Sequence, residues 1–136
     1  MAWFAAGFAR TYLGDATPAL EQIARARRLS PLDPWMHWFK SFQAFNHFFL
    51  GNDEDAADLA EQSLLHQPSH IGALLIKTFT NAHLGRLVTA REAAQQVLRQ
   101  RPEYSIAVYR SDMGHLPAKN LERAVLGLRL AGIPEL

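Results

Sequence analysis

Along this chain apolar residues recur every three or four positions and nowhere alternate with polar ones over the length of a strand, so the pattern is helical throughout. In "TPALEQIARARRL", Thr17 and Pro18 supply a cap and a first helical residue, and Leu20, Ile23, Ala24 and Arg27 then follow helical spacing. In "GNDEDAADLAEQSLLHQP", Asn52 stands as an N-cap before Asp53, Glu54 and Asp55, whose charges suit the positive end of a helix dipole. The same reading predicts helices at 2–13, 17–29, 35–50, 53–66, 70–84, 87–100, 103–112 and 118–131, an all-α chain.

These helices are paired by repeated punctuation. Gly51 is followed by Ala56 and Pro68, and the same offsets recur in Gly14, Ala19 and Pro31 and in Gly85, Ala90 and Pro102. The step from Gly14 to Gly51 is slightly longer than that from Gly51 to Gly85, the extra length falling in the connector "SPLDPW". A period of about 34 residues, the Gly51 to Gly85 step, marks a stack of helix–turn–helix units. The Gly relaxes the turn between two helices, where a left-handed backbone is expected. The Ala lets the second helix approach the first closely, and the Pro ends the second helix because it cannot continue the hydrogen-bond ladder. After Pro102 the frame decays. Gly114 and Pro117 interrupt the next first helix, yet Ala124 still lies one full period after Ala90, and Leu121, Val125 and Leu128 make one apolar face. The segment from Lys119 to Ala131 is expected to cap the last unit, as the open end of a helical stack requires.

With Trp3, Gly7, Gly14, Ala19, Ala26 and Pro31 in its first unit and this period between units, the chain resembles the tetratricopeptide repeat family over residues 1 to 102. The resemblance implies an all-α helix–turn–helix solenoid with units at 1–34, 35–68 and 69–102, followed by degenerate capping helices at 103–136. Lys40 stands where the first unit has Trp3, and Gln43 and His47 stand where the family prefers apolar or aromatic residues, so looser packing is expected inside the second unit. The stretches "RLSPLDPW", "HLGRLVTAREAAQQVLRQRPEYSI" and "NLERAVLGLRLAGIPE" are similar to the C-terminal tetratricopeptide region of multidomain bacterial regulators, including class III adenylate/guanylate cyclases and winged-helix transcriptional activators. That narrower resemblance implies a regulatory or dimerisation tail whose activity lies in an upstream domain, since neither a cyclase core nor a winged helix fits into residues assigned to repeats. Met1 falls almost flush with the first helix of a unit, which leaves open both a chain that has lost earlier repeats and a short protein that begins here.

Composition narrows the function more than the fold. The 136 residues, 49% hydrophobic and 20% charged, suffice for one domain with a continuous core. A formal charge of +1 gives no general attraction to nucleic acid, and the basic cluster Arg25, Arg27 and Arg28 has no interleaved aromatics, so no nucleic-acid partner is expected. No cysteine is present, which removes disulfides, thiolate zinc sites and a cysteine nucleophile and makes a cytoplasmic setting the default expectation. No apolar run approaches the roughly 18 to 20 residues of a membrane span. His66 and His70 have the spacing of a helical metal pair, but Pro68 between them breaks the helix that would align them. The acids Asp53, Glu54, Asp55 and Asp58 lack the alternating ligands and central Gly of a calcium loop, and no phosphate loop or nucleophile elbow occurs. No catalytic residue, metal or cofactor is expected, and the chain is read as a noncatalytic protein.

What remains is a surface. In stacked helix pairs the first helix of each unit lines the concave face, and residues at equal offsets from the turn Gly form ladders along it. Six residues before each Gly stand Phe8, Phe45 and Phe79; two before stand Tyr12, Phe49 and His83; ten before stand Phe4, Ser41 and Leu75. Members of the family that clamp a C-terminal carboxylate carry Lys, Asn and Arg at such offsets, so that mode is not expected. Phe4, Phe8, Tyr12, Trp38, Phe45, Phe49, Leu75, Phe79 and His83 are the candidate groove for a helix or extended peptide of a partner protein. Three destinations for these aromatics stay open at this level: a groove, an interface with an upstream domain or a second copy of the chain, or the interior.

Overall fold

A computed structural model describes residues 36–136 together with Glu21, which is helical; Phe4, Phe8, Tyr12, the Arg25 to Arg28 cluster and the rest of the first expected unit lie outside the described residues. Six α-helices and no strand make up the described chain: α1 Met36–Phe49, α2 Asp53–His66, α3 Ile71–His83, α4 Leu87–Gln100, α5 Ile106–Met113 and α6 Ala118–Leu130. Helices α2 and α4 have the bounds read from the sequence, and α1, α3 and α6 differ by no more than a residue at either end. Helix α5 starts later than expected because Ser105 is its cap, with the Ser105 hydroxyl accepting from the Val108 amide at 3.2 Å.

The two turns that join α1 to α2 and α3 to α4 are the same object. Gly51 and Gly85 have φ of +85° and +79°, a region that side-chain-bearing residues rarely adopt. The Gly51 amide donates to the Phe48 carbonyl and the Asn52 amide to the His47 carbonyl; the Gly85 and Arg86 amides donate to the Ala82 and Asn81 carbonyls in the same way. This paired closure satisfies carbonyls that the helix end would leave orphaned. It also corrects the reading of Asn52 as a side-chain cap. Asn52 holds the cap position of α2, but it is also the residue that closes α1, and its side chain faces the His47 ring at 3.3 Å instead of bonding an amide of α2.

Each hairpin closes on alanines, and Ala56, Ala60 and Ala90 are fully buried. Helix α2 packs against both α1 and α3, and α3 against α4, which joins the two hairpins into one core containing Phe48, Leu74, Phe79 and Val97. The expected loosening of the α1–α2 hairpin is absent. Lys40 lies with its stem half-buried and donates to the Gln62 Oε1 at 2.6 Å, while the Ser63 hydroxyl donates to the His37 carbonyl at 2.7 Å. A long polar side chain therefore substitutes for an aromatic one by covering apolar surface and tying off its own charged end.

The C-terminal part is assembled differently. Helix α6 packs across α3, where Gly127 sits so close to Phe79 that a Cβ there would lie 2.5 Å from the Phe79 Cβ and 2.7 Å from its Cα. Ala124, Val125 and Leu128 are buried and Leu121 half-buried, so the apolar face read from the sequence is turned inward. A turn at Gly132 then returns the chain to the start of α5, where the Ile106 and Ala107 amides donate to the Pro134 and Glu135 carbonyls. Those two amides are among the orphan donors of a helix start, and the chain end supplies their acceptors. Among the described residues no helix is long and apolar enough to cross a membrane.

Candidate ligand and partner site

A partly open cavity of about 140 Å³ lies where α1, α3 and α5 face one another. Helix α1 contributes Trp38, Ser41, Phe42 and Phe45, spaced so that all four share one helical face. Helix α3 contributes Gly72, Leu75, Ile76 and Phe79, each one repeat period after its counterpart on α1. Helix α5 contributes Tyr109 and Met113, which stand one further period after Leu75 and Phe79. The lining is therefore built from equal positions of consecutive repeats. Where the frame places Gly72 in the position held by Trp38 in the preceding unit, the His70 ring takes the space, 3.2 Å from where a Cβ would stand.

Of the residues nominated from the sequence, Trp38, Phe45, Leu75 and Phe79 meet at this cavity. Phe45 and Phe79 are nevertheless largely buried, with ring centroids 6.3 Å apart, so these rings belong to the core and present only an edge to the cavity. Phe49 stands beside the lining, its ring centroid 4.4 Å from that of Phe45. His83 does not join it. Its Nε2 donates to the Arg123 carbonyl of α6 at 2.6 Å, and its ring lies against Phe48. Position 83 lies nearer the turn than the cavity does, and α6 occupies the space it faces. Tyr109 and Met113 were missed because Gly114 and Pro117 suggested that the frame had ended. The missed signal was the repeat step itself, which carries the Leu75 and Phe79 positions onto them.

At one edge of the cavity His70 packs on Trp38 at 4.6 Å and on His37 at 5.0 Å between ring centroids, with its Nε2 3.2 Å from the Ser41 hydroxyl. Burial, and then the neighbouring His37, lower its pKa to about 4, so the imidazole is neutral at ordinary pH. His37 is lowered too, by burial and then by His66. Among the described residues no group of three or more His, Asp or Glu side chains is placed to hold a metal ion. At the other edge Tyr109 is buried, which pushes its pKa upward and keeps the phenol protonated. Its hydroxyl has no hydrogen-bond partner among the described residues.

Sequence reasoning also missed Arg123. Its guanidinium donates to both Asp53 carboxylate oxygens at 2.8 and 2.7 Å and to the Phe48 carbonyl at 2.7 Å, and lies 4.0 Å from the centre of the Phe48 ring. One side chain of α6 thus holds the α1–α2 turn. No spacing rule connects Arg123 to an acid so far back along the chain, and only the fold reveals the pair.

No protein-family model matches the chain, and no curated protein matches it. The geometry therefore carries the functional argument alone.

Proposed function

We propose that the chain is a noncatalytic interaction module of tetratricopeptide type, and that the face formed by α1, α3 and α5 holds a helix or extended segment of a partner protein. The observation that supports this reading is the convergence of Trp38 and Phe45 of α1 with Leu75 and Phe79 of α3 on one apolar depression open to solvent. Apolar depressions of this kind take the anchor side chains of bound peptides, and aromatic walls supply most of the binding energy at such anchors.

Selection from a displayed library of random peptides tests it. Enriched peptides should bind the wild-type chain and weaken by about tenfold or more on Met113→Trp, which fills the depression from its half-buried rim, while thermal unfolding stays unchanged. Enriched peptides that bind the variant as tightly as the wild type, or no enrichment at all, would overturn the assignment of this face.

A further inference from the structure

Three histidines meet where α1, α2 and α3 join. His37 stands in the first turn of α1, His66 is the last residue of α2 and acts on His37, and His70 holds the cap position of α3. The His70 ring is half-buried, with Trp38 edge-on at 4.6 Å and His37 at 5.0 Å between centroids, and it fills the notch over Gly72. Although it occupies a cap position, its side chain makes no capping bond to α3. The ring ties the start of α3 to α1 instead.

The hydrogen bonds place its proton. The Ser41 hydroxyl has one hydrogen and donates it to the Trp38 carbonyl at 3.1 Å, so the His70 Nε2, 3.2 Å away, donates to the Ser41 oxygen, and Nδ1 is the nitrogen that titrates. A proton on Nδ1 is opposed by three features of the surroundings. The charge would lie against the Trp38 ring in a half-buried place, next to a second imidazole, and at the positive end of the α3 dipole. Nothing around it supplies a counter-charge among the described residues: α1 brings His37 and Lys40, α2 brings His66, α5 brings Tyr109 and Met113 to the same cavity, and Glu61 of α2 is paired with Lys77 of α3. Burial, and then His37, accordingly lower the His70 pKa from 6.5 to about 4. The neutral ring therefore stabilises the closed arrangement fully above pH 6.5, and that stabilisation is lost as the pH falls toward about 4.

We propose that His70 is an acid-released latch between α1 and α3: protonation at Nδ1 drives the ring from its place beside Trp38 and Ser41 into solvent, and the α1–α3 edge of the cavity opens. The two helices stay joined deeper in the core, where the Phe48 and Phe79 ring centroids lie 4.5 Å apart. The latch is a property of the free chain and stands independently of the peptide reading.

The test follows the histidine ring resonances of the isotopically labelled full chain from about pH 7.5 to about pH 3.5. His70 should titrate about two pH units below a free histidine. Its ring-to-ring contacts with Trp38 should be present at neutral pH and lost through the same midpoint, while the amide shifts of α4 and α6 hold their places. His70→Phe keeps a ring in the notch and cannot take a proton. Relative to that variant, the unfolding constant of the wild type in urea should rise about a hundredfold between pH 7 and pH 4, a ratio from which carboxylates common to both chains cancel. Titration of His70 near 6.5, Trp38 contacts that survive its protonation, collapse of amide dispersion throughout the chain at the same midpoint, or parallel loss of stability in the two chains would each overturn the proposal. The ring measurements use the wild type alone, so they decide the matter even where the variant does not fold.

Discussion

Helices α1 to α4 and the segment from α5 to the C-terminus are built by different means. In the first region each decisive feature occurs twice, one repeat period apart: the left-handed turns at Gly51 and Gly85, and the buried alanines Ala56 and Ala90. The second carries the buried alanine once more, at Ala124, and a further left-handed helix end at Gly132, but the contacts that seat it each occur once: Gly127 against Phe79, Arg123 on Asp53 and Phe48, and the returning chain on the start of α5. Repetition defines the unit and how it meets the next. The end of a stack has no next unit, so its closure depends on contacts that no repeat supplies.

The largest test of this difference is Gly127→Ala. In an unconstrained helix the change would stabilise by about 1 kcal/mol, because Ala is the better helix former. Here the new Cβ meets backbone and Cβ atoms of Phe79, which cannot rotate away, so α6 must lift from α3. We expect a loss of about 3 kcal/mol, read as a lower urea midpoint in equilibrium unfolding. A gain in stability would mean that α6 is not seated on α3 in solution.

The same difference explains what could be read in advance. Gly51 and Gly85 were recognisable because each is a helix-ending residue at a repeated offset, and the backbone requirement is local. Gly127 sits inside a helical pattern, where nothing in the neighbouring residues signals that another backbone passes over it. Of the six nominated site residues that the structure describes, four reach the cavity because a ladder position is also local information, carried by helical spacing plus period. Tyr109 follows the same rule and was hidden only by the broken turn signal after it. Arg123 and the outward contact of His83 depend on where α6 lands, which no local pattern encodes.

A second, smaller effect separates two ion pairs that start from adjacent acids. Asp53 pairs with Arg123 with side-chain exposures of 16% and 30%, whereas Glu54 pairs with Arg86 at 62% and 46%. Removing Arg123 leaves the Asp53 carboxylate without its cation in a half-buried place, while the Phe48 carbonyl keeps its bond from the Gly51 amide, so Arg123→Ala should cost about 2 kcal/mol. Arg86→Ala removes a solvated pair between two repeat turns and should change stability by less than about 0.5 kcal/mol. Equal effects in urea unfolding would remove the distinction between a closure contact and a surface contact.

The smallest expected effect bears on the repeated region itself. At Gly85 nothing lies within 4 Å of where a Cβ would be built, so a substitution there meets no steric barrier and only the positive φ opposes it. Gly85→Ala should therefore cost about 1 kcal/mol, the usual penalty for an L-residue held in the left-handed region. Gly85→Asn should cost less, although its side chain is larger, because Asn tolerates that region by bonding to nearby backbone. The order of the two variants separates conformation from space: a crowded turn would penalise Asn more than Ala, and a strained one penalises Ala more than Asn. Gly51, with the same turn and the same open surroundings, should give the same order and nearly the same values. Agreement between the two sites in urea unfolding would establish that these turns are energetic copies, whereas a reversed order at either would mean that the Gly is kept there for room and that the repeat is less regular than its spacing.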